Sequence, residues 1–380
     1  VITGWAGALR GLCALRGFAV HTRTRSVDRV ELRNSRHEVP HRGMLVRETM
    51  GKMQRTVVMG CLGGVLLLAI GLAVAAWVLV NPARPLPSTS VAGPEPAELR
   101  RHVAALTSLG GFRSYEHPDV LHRAADHVSS QWQKAGFEVD EQAYDVGGVN
   151  ARNLIVGYGP DAGPVVVVGA HYDVCGDQDG ADDNASAVAS ILELARLLAE
   201  HRPPVTRRIE LVAFTLEEPP FFRTDAMGSA VHARSLRQRG VPVAAMVCLE
   251  MVGYFSDQPR SQRFPMPGLG LLYPNTGNFV AVVGNLGGRR LTRDIKARMA
   301  GACAVPVHSI NAPTLVPGVD FSDHINYWRE GLPAVMITDT AFYRNPNYHL
   351  PSDTADTLDY ERMAEVVKGL YSAVCSLAGG

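Results

Sequence analysis

Five short segments carry side chains able to hold divalent cations: His171-Tyr172-Asp173, Gly180-Ala181-Asp182-Asp183-Asn184, Glu217-Glu218, Glu250 and Tyr348-His349. Together they offer two imidazoles and several carboxylates, the donor set that suits a pair of Zn2+ ions and hydrolysis by an activated water. Taken singly, each has an ordinary explanation. A His-x-Asp pair is commonly a surface pair, a Glu-Glu pair a solvated run, and a double Asp ahead of a helix an N-terminal cap. What distinguishes the set is placement, because the first four segments lie just after apolar runs that read as strands.

Those runs must position the chemistry. Pro164 to Gly169 reads as a strand, and its Val166-Val167-Val168 lacks alternation, as expected of a central strand covered on both faces. Val139 to Tyr144, Asn153 to Gly157, Ile209 to Phe214, Val243 to Leu249, Asn278 to Val283 and Ala334 to Ile337 also read as strands. Helices are expected over Leu99 to Leu109, Val120 to Gly136, Asn184 to Glu200, Gly228 to Arg239, Leu291 to Met299 and Tyr360 to Leu377. In the Asn184 helix, Val188, Ile191, Leu192, Ala195 and Leu198 form one apolar stripe. Strands alternating with helices predict an α/β three-layer sandwich with a mixed, largely parallel central sheet. In such sheets ligands bind beyond the carboxyl ends of the strands. His171, Glu217, Glu218 and Glu250 come at or just after strand ends, Asp183 opens a helix, and His349 arrives from a later loop.

The 380 residues hold 37 basic and 37 acidic side chains, a balance that gives no reason to expect a nucleic-acid partner. The six cysteines form no Cys-x-x-Cys pair, which argues against a zinc ribbon or a redox motif. Val58-Met59-Gly60-Cys61 has the order of a lipid-attachment box, but the apolar run follows the cysteine instead of preceding it. Cys175 lies close to the candidate site and reads as a small, partly buried residue.

Four regions follow. Residues 1–55 form a basic segment, with Met44, Met50 and Met53 as alternative starts. Residues 56–80 form a transmembrane anchor or signal, residues 81–95 a Pro-rich linker, and residues 96–380 the catalytic domain. Val57 to Val80 carries no charge and is long enough to cross a bilayer as a helix. Arg47, Lys52 and Arg55 before it place that side in the cytoplasm and the rest of the chain outside, periplasmic or extracellular. A retained anchor is favoured over a cleaved signal, because Trp-Val-Leu-Val-Asn-Pro makes a poor cleavage site. A buried core helix is the third reading of the same stretch.

The segments Gly169-Ala170-His171-Tyr172-Asp173, Gly180-Ala181-Asp182-Asp183-Asn184-Ala185-Ser186, Leu216-Glu217-Glu218, Leu249-Glu250-Met251, and Tyr348-His349 with Asp353-Thr354-Ala355-Asp356-Thr357-Leu358-Asp359 resemble the co-catalytic di-zinc aminopeptidases. That group includes vacuolar aminopeptidase Y, secreted bacterial aminopeptidases, glutamate carboxypeptidase II and the glutaminyl cyclases. The resemblance covers roughly residues 95–380 and implies a zinc-exopeptidase fold with two Zn2+ ions. It implies that His171 and Glu250 bind one ion, that Glu218 and His349 bind the other, and that Asp183 bridges them. Glu217 would be the general base, Asp173 would orient His171, and Asp182 would be a neighbour only. Peptides with a free N-terminus would be the substrates. Two departures stand out: Ala187 where many relatives have Gly, and Glu250 where many have Asp.

Physical chemistry agrees with that division. Two cations roughly 3.5–4 Å apart need a shared anion between them, and one of two adjacent glutamates can bind metal while the other takes a proton from water. Cobalt or manganese would accept the same ligands. Alternatives are a mono-zinc acyltransferase of glutaminyl-cyclase type and a non-catalytic binding ectodomain. Ser322-Asp323-His324, Asp339 and Tyr343 are candidates for the site's surroundings. Arg344 is expected either to meet a substrate carboxylate or to pair with a structural acid.

Overall fold

The computed structural model describes residues 42–87 and 91–379. The expected basic segment therefore lies outside the described residues as far as residue 41. The chain divides into two units, residues 1–65 and 66–380. Helix α1 (Arg42–Val80) starts well before the apolar run, because the preceding Arg, Leu, Met, Glu, Lys and Gln are good helix formers. Its apolar side chains, Leu62, Leu66 and Leu68 among them, are exposed, which removes the core-helix reading. It is long and apolar enough to cross a membrane.

The end of α1 and the residues after it are built into the larger unit. Ser309 Oγ donates to the Val80 carbonyl at 2.8 Å, and Lys296 Nζ lies 3.2 Å from the same oxygen. A cation at a helix C-terminus is where the helix dipole favours one. Asn81 Nδ2 bonds Asn311 Oδ1 at 3.0 Å, the Arg289 guanidinium stacks 4.6 Å from the Trp77 ring, and Leu86 N donates to Ala297 O at 3.0 Å. Residues 81–87, the first part of the expected Pro-rich linker, are thus bonded to the rest of the larger unit through Asn81 and Leu86.

Helices α2 (Pro96–Thr107) and α3 (Pro118–Lys134) each begin with Pro in the first turn, where its missing N–H is not needed. Strands β1 (Asp140–Val146), β2 (Val149–Tyr158) and β3 (Val165–His171) follow. A π-helical turn at Ala181–Ser186 leads into α4 (Ala187–His201). Then come β4 (Arg208–Phe214), α5 (Gly228–Gln238), β5 (Val243–Glu250), β6 (Val280–Gly284), α6 (Arg289–Ala302), β7 (Val307–Asn311), α7 (His324–Arg329), β8 (Ala334–Thr338) and α8 (Tyr360–Leu377).

The eight strands form one sheet in the order β1-β2-β4-β3-β5-β8-β6-β7. Its centre, β4-β3-β5-β8, is parallel, and β1, β2 and the β6/β8 pair add antiparallel contacts. The sheet is mixed and flanked by helices, as the sequence indicates. Every residue of β3 is buried, because alternate side chains enter two different cores. Val166, Val168 and Ala170 pack with α2, α3, α4 and α8, whereas Val165 and Val167 pack with residues of α5 and α7. The parallel register aligns the strand ends: His171 pairs with Phe214, and Glu250 with Thr338. That alignment delivers polar groups from β3, β4 and β5 to one edge.

Candidate metal centre

His171 is fully buried at the end of β3. Its Nδ1 lies 3.2 Å from the Asp173 carbonyl oxygen, which can only accept. Nδ1 therefore donates and Nε2 is turned to the carboxylates, which, against the opposing effect of burial, hold the imidazole's pKa well above its usual value. Nε2 lies 3.4 Å from Asp183 Oδ1, 3.4 Å from Glu250 Oε2 and 3.9 Å from Glu217 Oε2. The second imidazole approaches from the other side: His349 Nε2 is 3.1 Å from Asp183 Oδ2 and 3.4 Å from Glu218 Oε2. One carboxylate, Asp183, thus turns one oxygen to each ring. The structure brings together His171, Asp183, Glu217, Glu218, Glu250 and His349, with Asp173 beneath them.

Asp173 does more than face His171. Its carboxylate is 3.5 Å from His171 Nδ1 and accepts the backbone N–H groups of Glu217 (3.2 Å) and Glu218 (3.0 Å). It thereby couples the ends of β3 and β4. Asp353 plays the same part for the helix-opening loop, accepting from Asp182 N at 2.9 Å and Asp183 N at 3.0 Å. Ser322 Oγ donates to Glu250 Oε2 at 2.6 Å. Asn184 ties that loop to β5 through Leu249 O and Met251 N.

Backbone conformation is also special here. Leu216, Met251 and His349, each next to or part of the cluster, have φ of 57°, 49° and 55°. Non-glycine residues in this left-handed region cost roughly 1–3 kcal/mol each and persist where surrounding contacts over-determine them. Gly180 (φ +57°) has no room for a side chain, since a Cβ would sit 2.2 Å from Asp183 O.

Some expected neighbours prove structural. Asp182 accepts from Gly253 N and from Asn345 Nδ2, and faces Asp339, so burial and that neighbour push its carboxyl well up. Asp339 accepts from Tyr254 N and Ala341 N. His324 is spent on Val319 O (2.8 Å) and on the Trp328 ring. Arg344 is buried, donates from Nε to Gln262 Oε1 at 3.0 Å and lies 4.6 Å over the Phe279 ring, so it takes the structural role. Arg113 was invisible to motif reasoning, because a lone arginine between helices carries no pattern. It is buried and donates to the carbonyls of Leu106, Tyr172, Asp179 and Gly180, lacing together the loops that carry His171 and Asp183.

The electrostatics of the cluster are those of a cation site. Burial pushes Glu217 well above the usual carboxylate range and Glu218 up to about 8, with Asp183 adding to the latter. His171 Nε2, Asp183 Oδ1, Glu218 Oε1 and His349 Nε2 are buried without a hydrogen-bond partner. Orphaned lone pairs on two imidazoles and two carboxylates, converging from opposite sides of Asp183, fit one ion among His171, Asp183 and Glu250 and another beside Glu218 and His349.

Next to Glu250 opens a cavity of about 110 Å³ with apolar walls, including Phe264, Leu269, Phe279, Ile310, Phe321 and Phe342. Tyr348, stacked 3.8 Å from the His349 ring, stands between the cavity and the cluster.

Comparison with known proteins decides the family. The model of peptidase family M28 matches residues 153–374, more than half of the chain. The chain belongs to peptidase family M28. It is 44% identical over 304 residues to the uncharacterized protein YfbL of Escherichia coli (strain K12), spanning 78% of this chain and 91% of that protein. It is 28% identical over 290 residues to a probable leucine aminopeptidase 1 of Trichophyton verrucosum (strain HKI 0517), covering 72% of each. Among solved structures, the LapA aminopeptidase of Legionella pneumophila shares the fold with a TM-score of 0.60 at 24% identity, over 75% of this chain and 72% of that one. The glutaminyl cyclase of Fimbriiglobus ruber shares it with a TM-score of 0.56 at 20% identity, over 77% and 99%. This M28 chain is accordingly a peptidase, and its buried cluster sits at the carboxyl ends of β3, β4 and β5.

Proposed function

We propose that this M28 chain is a zinc-dependent aminopeptidase, anchored to a membrane by α1, that removes N-terminal residues with apolar side chains. One observation carries the reading: the two oxygens of Asp183 each face a different imidazole, 3.4 Å from His171 Nε2 and 3.1 Å from His349 Nε2. A mono-zinc acyltransferase needs no such sharing, and a binding ectodomain needs no base.

His171, Asp183 and Glu250 would hold one Zn2+, and Asp183, Glu218 and His349 the other. When bound, the ions supply Lewis acidity toward the scissile carbonyl and acidify a water molecule. Glu217 takes the proton of that water on its buried carboxylate and returns it to the leaving amine. Asp173 fixes the backbone of Glu217 and Glu218 and so sets where that carboxylate stands. The apolar cavity beside Glu250 then receives the first side chain.

The integration of Trp77, Val80 and Asn81 into the catalytic unit supports retention of α1 as an anchor. The basic residues ahead of its apolar run support a catalytic unit outside the cytoplasm. The test is zinc stoichiometry of the full chain, together with turnover of free-amine and N-acetylated peptides. Two zincs per chain, chelator-sensitive cleavage and no cleavage of acetylated peptides are expected. Equal cleavage of acetylated peptides, or one zinc with cyclisation of N-terminal glutamine, rejects the reading.

A further inference from the structure

We propose that Cys175 supplies a thiolate ligand to the zinc held by Glu218 and His349, an inference that rests on the metallopeptidase reading above. The Cys175 sulfur, a Glu218 carboxylate oxygen and a His349 ring nitrogen all lie within 4.8 Å of one another. Tetrahedral Zn–S and Zn–N bonds of about 2.3 and 2.0–2.1 Å put the two donors about 3.6 Å apart, so an ion would draw these groups together from a spacing of at most 4.8 Å. Two independent atoms point to a ligand between these groups. Glu218 Oε1 has no partner although the residue is only 5% exposed, and His349 Nε2 has none either.

The loop carrying Cys175 is braced at both ends. Val174 N donates to Arg113 O at 3.1 Å, and Arg113 Nη1 and Nη2 bond Asp179 O at 2.7 Å and Gly180 O at 2.9 Å. Arg113 thereby holds the thiol in place against the cluster. Among the described residues no cysteine joins the other group, His171, Asp183 and Glu250; Cys248 Sγ meets Ser322 Oγ at 3.1 Å instead. The pair of ions is therefore chemically unequal, with one site all nitrogen and oxygen and the other containing a soft donor that favours zinc over harder cations. Binding is a ligand exchange without redox change. The S–H bond breaks, the proton goes to solvent, and the sulfur lone pair forms the bond to zinc.

The experiment uses the full chain in detergent, metal-free and loaded with two equivalents of zinc. Zinc X-ray absorption fine structure is expected to show a sulfur scatterer at about 2.3 Å, contributed by half of the zinc. Iodoacetamide labelling mapped by mass spectrometry is expected to modify Cys175 in the metal-free chain and to spare it in the loaded chain. Cys175→Ala is expected to lose the sulfur shell and to weaken the second zinc by about tenfold or more in chelator competition. Two zincs bound with nitrogen and oxygen scatterers only, and equal labelling of Cys175 with and without metal, overturn the cysteine ligand and leave the aminopeptidase reading standing. No zinc bound at all sinks both together.

Discussion

Replacing Glu217 by Gln removes one proton acceptor and little else. The side chains are isosteric, and the backbone N–H of residue 217 keeps its 3.2 Å bond to Asp173 Oδ1. Glu218, the adjacent candidate ligand, is untouched, so zinc content should stay at the wild-type value. Stability should hold or rise slightly, because burial already pushes the Glu217 carboxyl well above its usual range, and Gln removes that desolvation. Turnover is another matter. A positioned general base is worth about 10²–10⁴ in rate, which is about 3–5 kcal/mol of barrier. With free-amine leucine anilide as substrate, kcat should fall by that factor with little change in KM. Glu217→Asp retracts the carboxylate by about one bond, and misplacement of roughly 1 Å can cost about 10²-fold, so it should fall between the two. A Gln variant that carries wild-type zinc and turns over within about threefold of wild type would remove Glu217 from the base role.

Three further outcomes follow from the geometry. Arg113→Met leaves the carbonyls of Leu106, Tyr172, Asp179 and Gly180 without their donor; it should cost at least about 3 kcal/mol in urea denaturation, and a loss under 1 kcal/mol would deny Arg113 its bracing role. Gly169→Ala drives a methyl to 2.2 Å from the Phe214 ring, two residues before His171, and should cost about 1–3 kcal/mol by overpacking, checked by thermal unfolding. The metal-free chain should lose stability as pH rises: Glu218, raised from 4.5 to about 8, and Asp323 and Asp353, raised from 3.8 to about 7, keep protons in the folded state that the unfolded state has released. The folded state then binds more protons over about pH 4.5 to 7, each group contributing a slope of about −1.4 kcal/mol per pH unit; zinc should cancel or reverse this trend in Tm measured from pH 5 to 8, and a flat metal-free profile would contradict the burial.

The parts of the fold legible in the sequence are those with unambiguous patterning. β3 announces itself by four consecutive valines, a run that suits burial on both faces, and α4 by its apolar stripe from Val188 to Leu198. β7 escaped notice: Val307-His308-Ser309-Ile310-Asn311 is short and half polar, and it lies at the sheet's edge, where only one neighbour constrains it. α7 escaped for a similar reason, having six residues and starting inside the Ser-Asp-His segment that drew attention as chemistry. The clustered residues were legible because each sits at a strand end, where sequence position and spatial position coincide. The cavity was not. Phe264, Ile310, Phe321 and Phe342 come from four separate stretches, and an apolar residue lining a cavity looks the same in sequence as one filling a core. Arg113 was similarly hidden, since its partners are carbonyls.

The buried acids also explain why the rest of the site is so heavily tied to backbone. Asp183, Glu217, Glu218 and Glu250 face one another with little exposure to solvent. As carboxylates they carry four negative charges, and His171 and His349 as neutral ligands offset none. Two divalent cations carry four positive charges, so occupancy brings the cluster near neutrality, whereas without cations protons must take their place, as the upward displacement of Glu218 and Glu250 expresses. Metal capture by the proposed two-zinc site would then be a proton-for-cation exchange. The carboxylates must hold their positions in both states, or mutual repulsion would drive them apart before an ion arrived. Asp173 and Asp353 meet that requirement, because each accepts two backbone N–H groups that do not titrate. Ligand placement thus rests on these bonds from side chain to backbone, and the ligands' own charge is free to follow the metal.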